Sequence, residues 1–433
     1  MPTDGPRRDP SQREEPVFEP LLGNQAAHVL LNDRRELNGG LVARSIFWMA
    51  SLLLLHTYFF YPVILLLLER VRRQAESLRS NPSTWNPLAA EKELPRVTLV
   101  VAAYNEAGCI GEKLRNSLLI DYPADRFQIL IGSDGSTDGT DDIIKGSVGQ
   151  RIRLWRGERA GKASVLNSCI PLAIGEIVVL SDANTMIDPK ALKILVRHFE
   201  NPDIGAVCGR LKLFNRSRKD YEESLYWKYE SWIKLYEGKR GAVMGANGGL
   251  YAIRRRLFTA LPASTIIDDF VIATRIMEQG FKVTYDSEAL AYEETTEDYQ
   301  KEFKRRVRIA AGNFQSLSLV PQLLLPSAGF PAFAFWSHKL LRWCAPWLMA
   351  AVLLSNLFLL GDPLYRLIFI GQGMFYALAL GGKANVFKGQ LRRVASMAYY
   401  FVTMNFALAV GLWKFLRGQQ GAAWDRTARA HST

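Results

Sequence analysis

Hydrophobic positions along this chain fall into three kinds of run, and each predicts a different element. Residues 46–68 form a 23-residue stretch without a charge, interrupted only by His56 and Pro62. At ~1.5 Å per residue a helix of that length crosses a hydrocarbon core of ~30 Å. A helix buried in a soluble core is the plainer alternative. Three more apolar segments, 343–360, 364–380 and 394–413, lie near the C-terminus, and the turn Gly361-Asp362-Pro363 separates the first two. Residues 97–102 (VTLVVA), 127–132 and 176–180 are short aliphatic runs, the pattern of strands buried on both faces. A helix-period pattern follows each, so strand and helix alternate and the expected fold is α/β with a mostly parallel sheet.

A fourth apolar segment, 317–336, is broken by Pro321, Pro326 and Pro331 and followed by His338, Lys339 and Arg342. Prolines so spaced suit a bent segment in the membrane interface better than a straight span. The predicted organisation is a polar tail (1–45), one span (46–68), an α/β domain (95–316), an interfacial segment (317–342), three spans (343–413) and a second tail (414–433).

Composition fits this division. The mean hydropathy is −0.02, the average of a polar domain and membrane spans. Four cysteines, none in a C-x-x-C pair, exclude a disulfide scaffold and a Cys-based zinc site, and fit a reducing compartment. The five histidines are scattered. The net charge of +12 admits nucleic acid, an anionic membrane or a phosphorylated substrate as partner. No nucleic-acid motif is present, and Arg70–Arg73, Lys301–Arg308, Lys339–Arg342 and Lys383–Arg393 lie beside apolar segments. Arg70, Arg72, Arg73 and Arg79 follow the first span, but Arg34, Arg35 and Arg44 precede it. The positive-inside rule therefore only leans toward a cytoplasmic α/β domain. Both flanks of the last segment are basic, which leaves the number and parity of crossings open.

Candidate chemistry sits just past the strand ends, where ligands bind in open α/β sheets. The first run ends in AYNE (103–106), the second in SDGSTDGT (133–140) and the third in SDANT (181–185). Each cluster has a plainer reading: Asp134, Asp138 and Asp182 could cap helices or make turns, and Lys162 could be a surface lysine.

In this order, with RAGKASVLN (159–167), GANGGLYAIRR (245–255), IDDF (267–270) and KRRVRIAAG (304–312), the clusters resemble family 2 inverting glycosyltransferases. Among these the chain is similar to membrane-bound polysaccharide synthases of the cellulose, chitin and hyaluronan type. The resemblance implies a GT-A nucleotide-sugar-binding domain, a UDP-sugar donor and a glycan or lipid-linked acceptor. It also implies a bacterial inner-membrane location with a cytoplasmic catalytic domain. Tyr104 would stack on the uracil beside Asn105 and Glu106, Asp134 would accept from the base N3–H, and Lys162 would approach the diphosphate. Asp182 would open the Asp-x-Asp motif that holds the nucleotide-sugar and a divalent metal, Mg2+ or Mn2+, with hard oxygen ligands. The second acid of that motif is Asn184 here, a ligand without charge.

Asp269 matches the family's catalytic base, which takes the acceptor hydroxyl proton opposite the leaving group. Asp268 would orient it. The alternative is that both cap a helix over 270–279. Gly245, Asn247, Gly248 and Gly249 fall where the family meets its acceptor. Tyr226, Trp227, Tyr229, Trp232 and Tyr236 read first as a core stripe, with sugar stacking by Trp227 as the second reading; Glu223, Glu230 and Glu237 recur seven apart. Arg308 keeps the arginine of the processive Gln-x-x-Arg-Trp motif and could neutralise the diphosphate, whereas Arg305 and Ile309 replace the Gln and Trp. A membrane-surface role for this basic run, single addition to a polyprenyl-linked acceptor, and a non-catalytic nucleotide-binding scaffold are the competing readings. Four spans at most are few for a channel, so a homodimer or partner subunit is a further expectation.

Overall fold

The computed structural model describes residues 39–77, 94–149, 151–214, 225–294, 299–384 and 386–421. Most of both predicted tails, Arg79 and Glu223 lie outside them. The α/β domain is built on one eight-stranded sheet, ordered β3-β2-β1-β4-β7-β6-β8-β5. Its strands are β1 (Val97–Ala103), β2 (Phe127–Asp134), β3 (Ile152–Gly157), β4 (Ile177–Asp182), β5 (Thr185–Ile187), β6 (Ile204–Phe214), β7 (Tyr251–Arg254) and β8 (Lys282–Glu294). The four strands from β3 to β4 run parallel, and β7 joins them antiparallel. β6 pairs parallel with β8 and antiparallel with β7. The aliphatic run of β1 is buried at all seven positions, as a strand covered on both faces requires.

Among the described residues, ten helices concern the site and its membrane side. They are α1 (Gly39–Gln74), α2 (Ala107–Leu118), α3 (Lys162–Leu172), α4 (Leu225–Gly238) and α5 (Asp268–Glu278). After these come α6 (Tyr299–Leu319), α7 (Phe330–Trp343), α8 (Ala345–Leu357), α9 (Pro363–Lys383) and α10 (Gly389–Leu416). One core, on the side of α3 and α5, takes in Tyr61 and Leu65 of α1; the other, on the side of α2, lies across the sheet.

Among the described residues α1, α9 and α10 are long and apolar enough to cross a membrane. α7 and α8 form a fourth candidate only as a pair bent by 62°. The apolar segment predicted at 343–360 is thus the second arm of a bent unit that begins within the proline-broken segment. Pro321 and Pro326 each open a short 3-10 turn, and Pro331 lies in the first turn of α7.

The α/β domain docks on the membrane helices through polar contacts. Lys239 Nζ lies 3.1 Å from Glu69 Oε1, and Arg240 donates to the Leu68 carbonyl at 2.8 Å. α1 and α7 each contain a π-helical turn, His56–Phe60 and Phe335–Leu340. The two turns meet: Thr57 Oγ1 donates to the Ser337 carbonyl at 2.7 Å, and His56 Nε2 lies 2.9 Å from Ser337 Oγ. α6 packs along α10, with Phe303 and Phe406 stacked at 6.2 Å.

Candidate active site

Parallel pairing places the ends of β1, β2 and β4 along one edge, so AYNE, SDGSTDGT and SDANT converge there. The first two are laced into one unit. Asn105 adopts φ 53, a left-handed turn that Asn tolerates, and its Oδ1 accepts from the Thr137 N–H at 2.8 Å. The Glu106 N–H donates to Thr140 Oγ1 at 2.8 Å, and Asp138 accepts from the N–H groups of Ala107 and Thr140. Asp138 thus follows its plainer reading.

Asp134 is fully buried. Its carboxylate takes the Arg159 guanidinium and the N–H groups of Ala160 (2.8 Å) and Gly161 (3.0 Å). It therefore shapes the loop that leads into Lys162, and both its oxygens are engaged within the chain. The Arg159 guanidinium also lies 3.3 Å from the centre of the Tyr104 ring. An open cleft of ≈ 560 Å³ beside it is lined by Gly135, Arg156, Gly157, Glu158 and Arg159.

The acidic groups gather one strand further along. Lys162 Nζ bridges Asp182 Oδ1 at 2.8 Å and Asp268 Oδ2 at 3.2 Å. Burial opposes the lysine charge, but Asp182, Asp268 and Asp269 together raise its value well above the ordinary range. Burial likewise opposes ionisation of Asp182, yet Lys162, Lys113 and Arg305 bring it below the usual carboxylate value. Asp269 stands at the start of α5, where its Oδ1 accepts from the Phe270 N–H at 2.8 Å. Burial and then Asp268 push its carboxyl up to about 6, against the pull of Lys162. Asp268 and Asp269 do open a helix, and from there Asp268 reaches Lys162.

Gly248 adjoins both acidic centres. A Cβ there would lie 3.4 Å from Asp182 Oδ2 and 3.4 Å from Asp269 Oδ2. Gly245 turns the same loop with φ +92, and a Cβ on it would lie 2.9 Å from the Phe270 ring. Asn247 is held by its Nδ2, which donates to the Gly209 carbonyl at 2.9 Å, and by Lys234, which donates to its Oδ1. A Cβ on Gly249 would lie 2.9 Å from Leu211. Trp227 lies near the start of α4 beside Tyr226, ring centroids 6.4 Å apart. The rest of the stripe is core: Trp232 and Tyr236 pack at 4.5 Å beside the fully buried Ile233.

The basic run divides by helix face. Arg306 donates to Glu302 at 2.6 Å and lies over the Tyr226 ring at 5.9 Å. Arg308 is drawn by Asp268, Asp182 and Asp269, although burial holds its value below the ordinary one. Ile309 packs against the core.

Two side chains that the sequence reading overlooked serve this site. Lys113 of α2 is fully buried, donates to Ser181 Oγ at 2.7 Å, and is pushed down to about 7 by burial against the pull of Asp182. Its signal was present: Ile110, Lys113, Leu114 and Ser117 form the buried face of α2, and Lys113 occupies an apolar position in that period. Glu293, at the end of β8, accepts from Asn184 Nδ2 at 2.9 Å.

For a divalent cation the chain offers the carboxylate of Asp182 and the amide oxygen of Asn184, whose nitrogen is held by Glu293. Among the described residues no group of three His, Cys, Asp or Glu side chains could hold a metal by itself. The donor set fits a hard cation whose coordination a substrate diphosphate completes.

The family model described as "Glycosyltransferase like family 2" matches residues 95–312. The probable glycosyltransferase YdaM of Bacillus subtilis is 25% identical over 51% of this chain and 56% of its own length. The poly-beta-1,6-N-acetyl-D-glucosamine synthase of Staphylococcus aureus is 27% identical over 52% of this chain and 56% of its own length. The match thus spans little more than half of either relative. Among solved structures, the mannosyltransferase PcManGT of Pyrobaculum calidifontis, in complex with GDP-Man and Mn2+, aligns over 87% of this chain and 100% of its own. Its TM-score is 0.60 at 22% identity, a likeness of fold.

Proposed function

The chain belongs to glycosyltransferase family 2, and from that premise we propose that it transfers a sugar, with inversion, from a UDP-sugar to a growing polysaccharide or a lipid-linked glycan. The observation that carries this reading is Gly248, whose missing side chain leaves a position 3.4 Å from an oxygen of Asp182 and 3.4 Å from an oxygen of Asp269. A sugar lying there has the donor-side carboxylate and the candidate base within reach at once. Asp269 takes the proton of the acceptor hydroxyl, the acceptor oxygen bonds to the anomeric carbon, and the bond to the diphosphate breaks on the opposite face. Lys162 and Arg308 neutralise the departing diphosphate. Asp268 orients Lys162 and keeps the proton affinity of Asp269 high. Tyr104, with Arg159, forms the wall on which the base is received.

Asp182 and Asn184 would hold the divalent cation, which supplies charge neutralisation at the diphosphate. The reaction would lie beside the bilayer, and Arg70, Arg72 and Arg73 at the end of α1 support the cytoplasmic face. Ile309 favours a second reading of the product. It fills the place of a tryptophan found in processive relatives and packs into the core, which suits addition of one sugar to a polyprenyl-linked acceptor.

The test is a panel of UDP-sugars and GDP-mannose offered to the full chain in native membranes, with nucleotide release and product length as readouts. Release with one UDP-sugar is expected. No donor-dependent release with any of them rejects the transferase reading, and a ladder of long products rejects single addition.

A further inference from the structure

α4 carries three charged side chains on its inner face, Glu230, Lys234 and Glu237, spaced four and three residues apart. All three are buried. Glu237 Oε1 accepts from the Tyr61 hydroxyl of α1 at 2.8 Å and lies 2.7 Å from Nδ1 of His338 on α7. Its other oxygen, Oε2, accepts from the backbone N–H of Met244 at 3.1 Å. Met244 immediately precedes Gly245, the left-handed residue that turns the chain toward Gly248. Lys234 holds Asn247 of the same loop. Glu230 completes the set with Arg342 and with Nε2 of His338 at 3.1 Å. One oxygen of Glu237 thus faces two membrane helices and the other faces the loop between Asp182 and Asp269. An apolar side chain would fill the space at lower desolvation cost.

We propose that Glu237 is a positioning residue for the transfer step, fixing the 244–249 loop against Asp269 from the membrane side. This rests on the transferase reading above. A backbone N–H held at a charged oxygen leaves the loop little freedom, and a displacement of ~1 Å at a reacting centre costs on the order of 100-fold in rate. Asn105, Glu106 and Asp134 of the donor loops bond to Ser136, Thr137, Thr140 and residues 159–161, so donor binding is expected to be independent of this set.

The experiment compares wild type, Glu237→Gln and Tyr61→Phe as full chains in lipid nanodiscs, with the donor that supports turnover. Glu237→Gln is expected to lower kcat by about tenfold and raise the acceptor KM, while the Kd for UDP alone stays within about twofold. Tyr61→Phe leaves the Met244 bond in place and is expected to give a smaller change of the same kind. A role in stability alone would lower the melting temperature and leave kcat and acceptor KM of the folded protein at wild-type values, and that result overturns the proposal. If Glu237→Gln does not fold, Tyr61→Phe decides: reduced transfer with unchanged UDP binding supports the proposal, and wild-type transfer overturns it. A wild type that releases no nucleotide with any donor overturns both the proposal and the transferase reading, whereas an active wild type with silent variants overturns the positioning role alone.

Discussion

The two sides of the Gly248 slot are held in different ways. On the donor side, Asn105, Glu106, Asp134 and Asp138 bond to loop backbone and hydroxyls no more than 34 residues away. On the acceptor side, Glu230 and Glu237 of α4 bond to Tyr61, 176 residues away, and to His338, 101 and 108 residues away. Local hydrogen bonds define a loop that the strand ends alone could assemble. A buried ionic set joining three remote helices makes the other wall depend on the membrane-bound part of the chain. Donor recognition and acceptor placement should therefore fail separately.

The most severe failure is expected at the shared centre. Asp269→Asn should cost roughly a thousandfold in kcat, within the range of general-base losses, and leave the Kd for UDP unchanged. Calorimetry with UDP beside a turnover assay checks both. On the acceptor side, Glu230→Gln leaves Arg342 and His338 in a buried site without their charged partner. It should lower stability by about 3 kcal/mol in nanodiscs, read from chemical unfolding. The sign with pH follows: the Glu230 carboxyl is held well below its ordinary value by Arg342, His338 and Lys339 against burial. Its contribution is present above the ordinary carboxylate range and is lost as pH falls below it.

On the donor side, Asp134→Asn removes one charged acceptor from Arg159 and the 160–161 backbone. UDP affinity should fall about tenfold, since a hydrogen bond to a charged group contributes ~1.5–3 kcal/mol. The acceptor KM should not change; a change in both constants would show that the two walls are one unit. The mildest probe is pH. Asp269 is raised to about 6 by burial and Asp268, and as the proposed base it would act as the carboxylate. Turnover should rise about tenfold per pH unit below that value and level off above it. In Asp268→Asn the midpoint should move to lower pH.

The donor side is also the part that could be read from the sequence. The aliphatic runs at 97–102 and 127–132 became β1 and β2 within two residues at their ends, because a strand buried on both faces leaves a continuous apolar signature. The acidic residues at the strand ends then fell together by topology. The partner of each buried charge was not legible. The sevenfold spacing of Glu230 and Glu237 was visible, but pairing with His338 is a property of tertiary packing. Lys113 was hidden for the opposite reason, since one lysine in an apolar stripe reads as an exposed interruption. The bend between α7 and α8 was not legible, because hydropathy averages over the break at Cys344.

The facing π-helical turns of α1 and α7 set a rule for how this protein can change. A π turn carries one residue more than the α-helix around it, and each residue rotates a helix by ~100°. Deleting a single residue from His56–Phe60 would let that turn close as α with Tyr61 near its present place, but it would remove or shift the groups of His56 and Thr57 that meet Ser337; deleting one from 335–337 would disturb the same contact from the other side. Each turn supplies the partner of the other, so the two irregularities are expected to be inherited as a pair.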